Sequence, residues 1–311
     1  MTSPAATIES ATFATRPRGL TAVAARRFMR RPLAVIALTA VVCLFVAGGL
    51  AGELAPGGDI QINLSAVHQG PELHGGHVFG TDWVGRDMLV RTLYGIKTSE
   101  TVALLAALIA TLIGVICGCV AGYYGGWLDA VVMRFSDLVT ALPAVVLTLG
   151  ALVYFGEAYP HILICIFSGY MWAGLARIIR ADVARLRAQE FVEAGRALGA
   201  SDVRVLRRHI LPNIGGTIAV AATALVGQIV LIDATVEFFG YGLPASVAPS
   251  LGNLVSDVVQ FKFGLSNDPA ALNLGWWTWV FPGLTLVLIL VCLNVVGDAL
   301  DEALNPTAEL S

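Results

Sequence analysis

Two carboxylates stand where carboxylates are costly. Asp233 and Glu237 lie four residues apart near the outer end of an apolar run, so on a helix they share one face. A charged carboxylate within the hydrocarbon costs about 2.5–3.5 kcal/mol even on a lenient scale, so such groups face an interior or water. They either line an interior face of the protein or sit at the wet mouth of a span. Other candidate chemistry is thinner. His74 and His77 are three apart with His68 nearby, but their glycine-rich setting offers a metal no fixed frame. Cys43, Cys117, Cys119, Cys165 and Cys292 all fall inside apolar runs, where a thiol behaves as a small apolar side chain. No disulfide framework and no metal site is expected. His161 and Ser168 could supply a base and a nucleophile, yet they stand two turns apart without an oxyanion motif. No catalytic residue is expected.

The elements that carry these residues follow from composition. Of 311 residues, 57% are hydrophobic and 13% charged, with a mean hydropathy of +0.77. Soluble domains carry about 25% charged residues, so a large part of this surface must face lipid. Six runs are long enough to cross a bilayer, which needs about 20 apolar residues. They are Leu33 to Gly52, Thr101 to Tyr124, Leu138 to Gly156, Ala158 to Ala176, Ile214 to Phe239 and Trp276 to Gly297. Each is continuous rather than alternating, and a helix satisfies its own backbone, so helices are expected rather than strands. The fold class is therefore all-α integral membrane with six transmembrane helices.

Arginine sets the sidedness. Arg16, Arg18, Arg26, Arg27, Arg30 and Arg31 precede the first span, Arg134 follows the second, and eight more lie between Arg177 and Arg208. Together these are fifteen of the nineteen Lys and Arg; only Arg86, Arg91, Lys97 and Lys262 lie on the other side. The positive-inside rule then places both termini in the cytoplasm of a cell-membrane protein. The resulting organisation is a cytoplasmic tail over 1–32, a first helix over 33–52, an extracytoplasmic segment over 53–100, a five-helix core over 101–300 and a tail over 301–311. Within the core, 177–213 is a cytoplasmic loop and 241–275 an extracytoplasmic one. Trp276, Trp277 and Trp279 suit a headgroup-level belt. The basic residues lie in short loops beside spans, so nucleic acid is not an expected partner.

The loop 177–213 reads as helical. Residues 180–198 form one amphipathic helix, with Val183, Leu186, Glu190, Ala194 and Ala197 on one face. Gly199 ends it as a C-cap. Ser201 caps a second short helix with Asp202 in its first turn, Val203, Leu206 and Ile210 form its stripe, and Pro212 stops it. Apolar stripes that no membrane or core buries point to a docking surface, against the plainer alternative of a solvated connector that sets topology.

These residues carry a family resemblance. Glu193-Ala194-Gly195, then Gly199, then Ile210-Leu211-Pro212, resembles the EAA loop of permease subunits in ABC importers. Gly195 replaces the second alanine, at about 1 kcal/mol of helix propensity. His209 stands where the peptide branch often has histidine. Phe79-Gly80-Thr81-Asp82, Gly85-Arg86-Asp87, Arg91 and Tyr94-Gly95 resemble the external segment of C-type dipeptide, oligopeptide and nickel permeases. Ala121-Gly122-Tyr123-Tyr124-Gly125-Gly126-Trp127-Leu128-Asp129, Met133-Arg134, Phe238, Gly240, Gly242, Phe281-Pro282-Gly283 and Gly297-Asp298 extend the resemblance across almost the whole chain.

The resemblance implies a type I importer permease fold and half of a pathway for di- or oligopeptides, with nickel, haem or another small solute as the variants. It implies a second permease subunit, two ATPase subunits and an extracytoplasmic solute-binding protein as partners. The chain has no Gly-x-x-x-x-Gly-Lys-Ser/Thr run, so ATP and magnesium belong to the partner subunits and no cofactor to this chain. Glu193, Ala194, Gly195, Arg196, Gly199, Ala200, Ser201, Asp202 and Pro212 are the implied coupling residues. Asp233 falls where the family commonly has glutamate and Glu237 where serine is frequent, which implies a structural or gate role for the first and a pathway role for the second. A stand-alone proton-coupled carrier would need inverted repeats, and none is evident.

Overall fold

The computed structural model describes residues 20–56, 58, 61–72, 76–156, 159–243, 248–260 and 275–304. Residues 1–19, His74, Glu157, Pro244, Lys262, Pro269 and the end of the C-terminal tail lie outside that set. The regular elements among the described residues are helices, and the one β-type contact among them is an isolated bridge between Thr81 and Asp87.

In chain order the helices are α1 (Leu20–Met29), α2 (Pro32–Gly49), α3 (Ala51–Leu54), α4 (Met88–Tyr124), α5 (Gly126–Thr140) and α6 (Ala144–Phe155). There follow α7 (Pro160–Arg187), α8 (Glu190–Ala197), α9 (Asp202–Val205), α10 (Leu211–Phe238), α11 (Leu251–Gln260) and α12 (Trp277–Leu304). Five helical stretches are long and apolar enough to cross a membrane singly, and α5 with α6 makes a sixth as a pair bent by 78°.

The helices are sorted by side-chain size, which is the membrane pattern. On α4 the buried stripe is Ala103, Ala106, Ala107, Ala110, Gly114, Gly118 and Gly122, while Leu104, Leu105, Leu108, Leu112 and Ile116 point outward. Lipid tails are as apolar as leucine, so packing comes from close backbone approach at small residues rather than from burying large ones. The approach is tightest against α7: a Cβ on Gly118 would lie 2.7 Å from the Ala176 carbonyl oxygen, and one on Gly122 2.6 Å from that of Arg180. At the N-terminus, Ala24 and Phe28 of α1 pack on Ala299 and Ala303 of α12, and Arg31 pairs with Glu302.

Four boundaries differ from the sequence expectation. Helix α4 begins at Met88, so residues 88–100 of the expected external loop are already helical; Asp87 caps it by accepting from the Leu89 and Val90 amides at 2.8 and 3.1 Å. The third span is not one straight helix over 138–156 but breaks at 141–143. Pro143 explains the break, since the residue before proline is driven out of the helical region. Helix α7 runs on to Arg187, and residues 188–189 separate it from α8, so 180–198 is not a single helix.

Pro212, fourth, does not stop the chain. A π turn over Leu206–Ile210 joins α9 to α10, giving continuous helix from Asp202 to Phe238. Proline lacks an N–H and crowds the carbonyl four residues back; the wider turn absorbs that mismatch. Asn213 Nδ2 donates to the His209 carbonyl at 2.6 Å.

Candidate functional site

Between α7 and α10 the chain folds into a two-helix knob. Helix α8 carries Glu190 and Glu193 in its first turn and Arg196 in its last, the order the helix dipole favours. Its end is a Schellman turn: the Gly199 amide donates to the Arg196 carbonyl at 2.9 Å and the Ala200 amide to the Gly195 carbonyl at 3.1 Å. Gly199 holds φ +81°, which glycine adopts without strain. Ser201 occupies the N-cap of α9 in extended conformation, and its carbonyl accepts from Val205 at 3.0 Å; its hydroxyl makes no capping bond, contrary to expectation.

The knob is fastened to the bundle through Tyr123, the second-last residue of α4 and fully buried. Tyr123 donates to Asp202 Oδ1 at 2.7 Å and accepts from Arg196 Nε at 3.3 Å, while the Arg196 guanidinium sits 4.9 Å above its ring. One side chain thus ties both knob helices to α4. Beneath it, Arg180 of α7 pairs in a fork with Asp129 of α5, at 2.8 and 2.5 Å. Tyr123 is the fastening residue that sequence reasoning missed. Its place in the Ala121–Asp129 motif was the only signal.

The apolar residues divide differently from the expected stripes. Val183, Val192, Val205 and Ile210 are fully buried and anchor the knob. Leu198, Val203 and Phe191 are exposed at 89%, 60% and 41% and form its outer surface, with Glu193, Ala194 and Arg196 exposed beside them. Gly195 has empty space where a Cβ would go. Pro212, in the first turn of α10, stands at the knob's exit.

At the opposite end of the bundle the charged residues are enclosed. Asp82 accepts from the Val84 and Arg86 amides at 2.9 and 2.8 Å, from Arg86 Nε at 2.7 Å and from Arg91 at 3.0 Å. Arg91, 2% exposed, also donates to Asp257 of α11 at 3.4 Å. Burial raises the Asp257 carboxyl above the ordinary value, and Arg91 pulls it back down. Trp277 Nε1 donates to the Thr81 carbonyl at 3.0 Å, pinning this segment to α12. His77 Nδ1 lies 2.8 Å from Asp87 Oδ2, an orienting pair at the α4 cap. No three His, Cys, Asp or Glu among the described residues are arranged to hold a metal ion.

Asp233 and Glu237 are 2% and 1% exposed, enclosed by the chain's own helices. Glu237 packs against Gly242 and Gly252, and the missing Cβ of each makes room for it. Its carboxylate therefore lies at the first turn of α11, where helix amides point. The two carboxylates share α10, as their spacing required, but neither meets the knob.

Comparison with known proteins agrees with this architecture. Residues 110–309 match the profile of the binding-protein-dependent transport system inner membrane component. The oligopeptide transport system permease protein OppC of Escherichia coli (strain K12) is 35% identical over 289 residues, 93% of this chain and 92% of that one. A protein of Brucella suis biovar 1 (strain 1330), provisionally named a peptide permease, is 35% identical over 295 residues, 94% and 93% of the two chains. Among solved structures, a chain of the inward-facing MetNI methionine ABC transporter superposes with a TM-score of 0.53 at 16% identity, covering 70% of this chain and 98% of that chain. That likeness concerns the fold. With a multi-pass helical bundle, a profile match over most of its length and relatives at 35% identity, the chain belongs to the binding-protein-dependent transport system inner membrane component family and is a transporter subunit, not a catalytic enzyme.

Proposed function

We propose that this chain forms half of the translocation pathway of a peptide importer and receives mechanical work from an ATPase through the knob at residues 189–210. The observation that carries the proposal is Leu198, 89% exposed at the end of α8, the helix that Val192 anchors by its burial. A leucine held out on a glycine-capped turn suits insertion in a groove of a partner subunit. Closure of two such ATPases on ATP would rock α7 and α10 as rigid bodies, because both run directly into the knob. ATP and magnesium bind to those partners.

The arrangement further calls for a second permease subunit across the pathway and a solute-binding protein on the face opposite the knob. The knob face is cytoplasmic, as are both termini, by the arginine distribution. The peptide assignment rests on the names of the relatives; nickel and haem are the alternatives within the same mechanism. In this scheme Asp233 and Glu237 act by seating α11 rather than by touching solute.

Purification of the tagged chain from its native membrane tests the proposal. An ATPase and a second permease should co-purify, and Leu198→Asp should release the ATPase while keeping the second permease. Release of neither by Leu198→Asp, together with Val203→Asp, would remove the docking role.

A further inference from the structure

Between Glu9 and Glu53 the chain carries no acidic residue, and Arg26, Arg27, Arg30 and Arg31 crowd the entry to its first span. Sidedness needs only that such charge lie near the end of a span; it does not require the segment to be built. Here it is built. Only Arg30 and Arg31 separate α1 from α2, and the chain turns there through bonds from the Arg30 amide to the Arg27 carbonyl at 3.2 Å and from the Arg31 amide to that of Phe28 at 3.0 Å. Ala24 and Phe28 dock on Ala299 and Ala303 of α12, Ala34 of α2 closes the same cluster, and Arg31 pairs with Glu302. The rotation of α1 about its own axis is thereby fixed.

Opposite that contact, and in the turn that follows, two kinds of side chain stand together. Arg26 and Arg30, four apart, are exposed and have no ion pair or side-chain hydrogen bond among the described residues. Met29 is exposed beside them, and Leu33 and Ile36, exposed in the first turns of α2, carry the apolar strip on into the span. Water has no use for that strip, and lipid tails have none for the arginines. Basic and apolar residues side by side at the end of a span suit the level where phosphates meet acyl chains. The described carboxylates at this end of the bundle belong to α12: Glu302 is taken by Arg31, and Asp298 and Asp301 are exposed on that helix rather than on α1 or α2.

We infer that α1 and the turn after it form a binding surface for an anionic phospholipid, its phosphate at Arg26 and Arg30 and an acyl chain along Met29, Leu33 and Ile36. The inference needs only that α2 crosses the membrane, and it stands apart from the solute and from the importer reading. Guanidinium groups offer a phosphate paired, charge-assisted hydrogen bonds, whereas a zwitterionic headgroup brings its own cation against them. An acidic protein segment would satisfy the arginines but not Leu33 and Ile36, which lie within the span. A lipid held here fastens α1, and through Ala299 and Ala303 the end of α12, to the membrane surface.

The test is a lipid titration. The full chain, purified with its native partners and stripped of lipid in detergent, is titrated with mixed micelles of phosphatidylglycerol and phosphatidylcholine, and the lipid retained after washing is extracted and quantified. Wild type should retain phosphatidylglycerol in preference to phosphatidylcholine. The preference should shrink between about 0.1 M and about 1 M salt, as screening shortens from about 10 Å to about 3 Å. Arg26→Gln with Arg30→Gln should weaken retention of phosphatidylglycerol about thirtyfold, about fivefold for each arginine. Met29→Glu keeps every arginine, so orientation in the membrane is undisturbed, and the like charge beside the phosphate should weaken retention about fivefold. Equal retention of the two lipids by wild type overturns the site, and so does unchanged retention in either variant. Should the double variant fail to insert, Met29→Glu decides alone. Failure of Met29→Glu to assemble would show that protein covers this face, and also overturns the site. An equal loss in Arg204→Gln with Arg207→Gln, both exposed elsewhere on the same chain, would mean that charge is read without a site and contradict the assignment.

Discussion

The hydroxyl of Tyr123 donates to Asp202 Oδ1 at 2.7 Å, joining the end of α4 to the first turn after the knob's glycine. A hydrogen bond to a charged group contributes about 1.5–3 kcal/mol. In Tyr123→Phe the ring remains for Arg196 to stack on, but the bonds to Asp202 and Arg196 go. The knob should loosen without unfolding the bundle, so ATP hydrolysis by the complex continues while uptake per ATP falls severalfold. Asp202→Asn combined with Tyr123→Phe should add little further loss. Full additivity of the two in a double-mutant cycle would mean that the contact carries no coupling.

Gly199 holds φ +81° with empty space where a Cβ would stand, so any penalty there is conformational rather than steric. Gly199→Ala should cost about 1–2 kcal/mol, the penalty of a left-handed alanine. Limited proteolysis of the purified complex should then cut at 198–201 faster than in wild type, with the core helices still protected. Identical cleavage rates would argue against the turn as the knob's hinge.

The α4–α7 contact gives a packing test with an internal control. A Cβ at Gly118 lies 2.7 Å from the Ala176 carbonyl oxygen and from Ile179 Cβ, so backbone must move. Gly118→Ala should destabilise the chain by about 1–3 kcal/mol, as overpacking does. Gly169, also helical, meets nothing within 4 Å, and Gly169→Ala should be neutral or stabilising by up to about 1 kcal/mol. Thermal unfolding in detergent compares them directly.

Asp257 gives a pH dependence of defined sign. Burial lifts its carboxyl in the folded state, so between the unfolded and folded values the native chain binds more protons than the unfolded one. Stability attributable to this group therefore falls as pH rises through that window. Asp257→Asn should flatten the slope of unfolding free energy over the mildly acidic range. A slope unchanged by the substitution would show that Arg91 offsets the burial completely.

Much of the helical architecture was legible in the sequence because continuous apolar runs report directly on contact with lipid. The Gly199 turn was legible too, since a lone glycine between two amphipathic stretches has few other uses. Helix ends were not. Hydropathy marks where lipid ends, whereas α4 continues to Met88 because Asp87 caps it and Arg91 is neutralised by Asp82. Pro143 held a signal for the break in the third span, through its effect on Leu142, that the reading of 138–156 as one run did not use. Pro212 looks identical in sequence, yet a π turn carries the helix past it. The burial of Asp233 and Glu237 depends on α11 folding back, which no local pattern encodes. The contacts of Tyr123 were not legible for the same reason: its partners lie 73 and 79 residues away.

The central claim is that work reaches this subunit from a neighbour through the knob. The most direct measurement is peptide uptake into vesicles holding this chain, its partner permease and the binding protein, with and without the ATPase subunits. The account predicts accumulation only when the ATPases and ATP are both present, and its loss in Leu198→Asp. Accumulation at the same rate without any ATPase would contradict it.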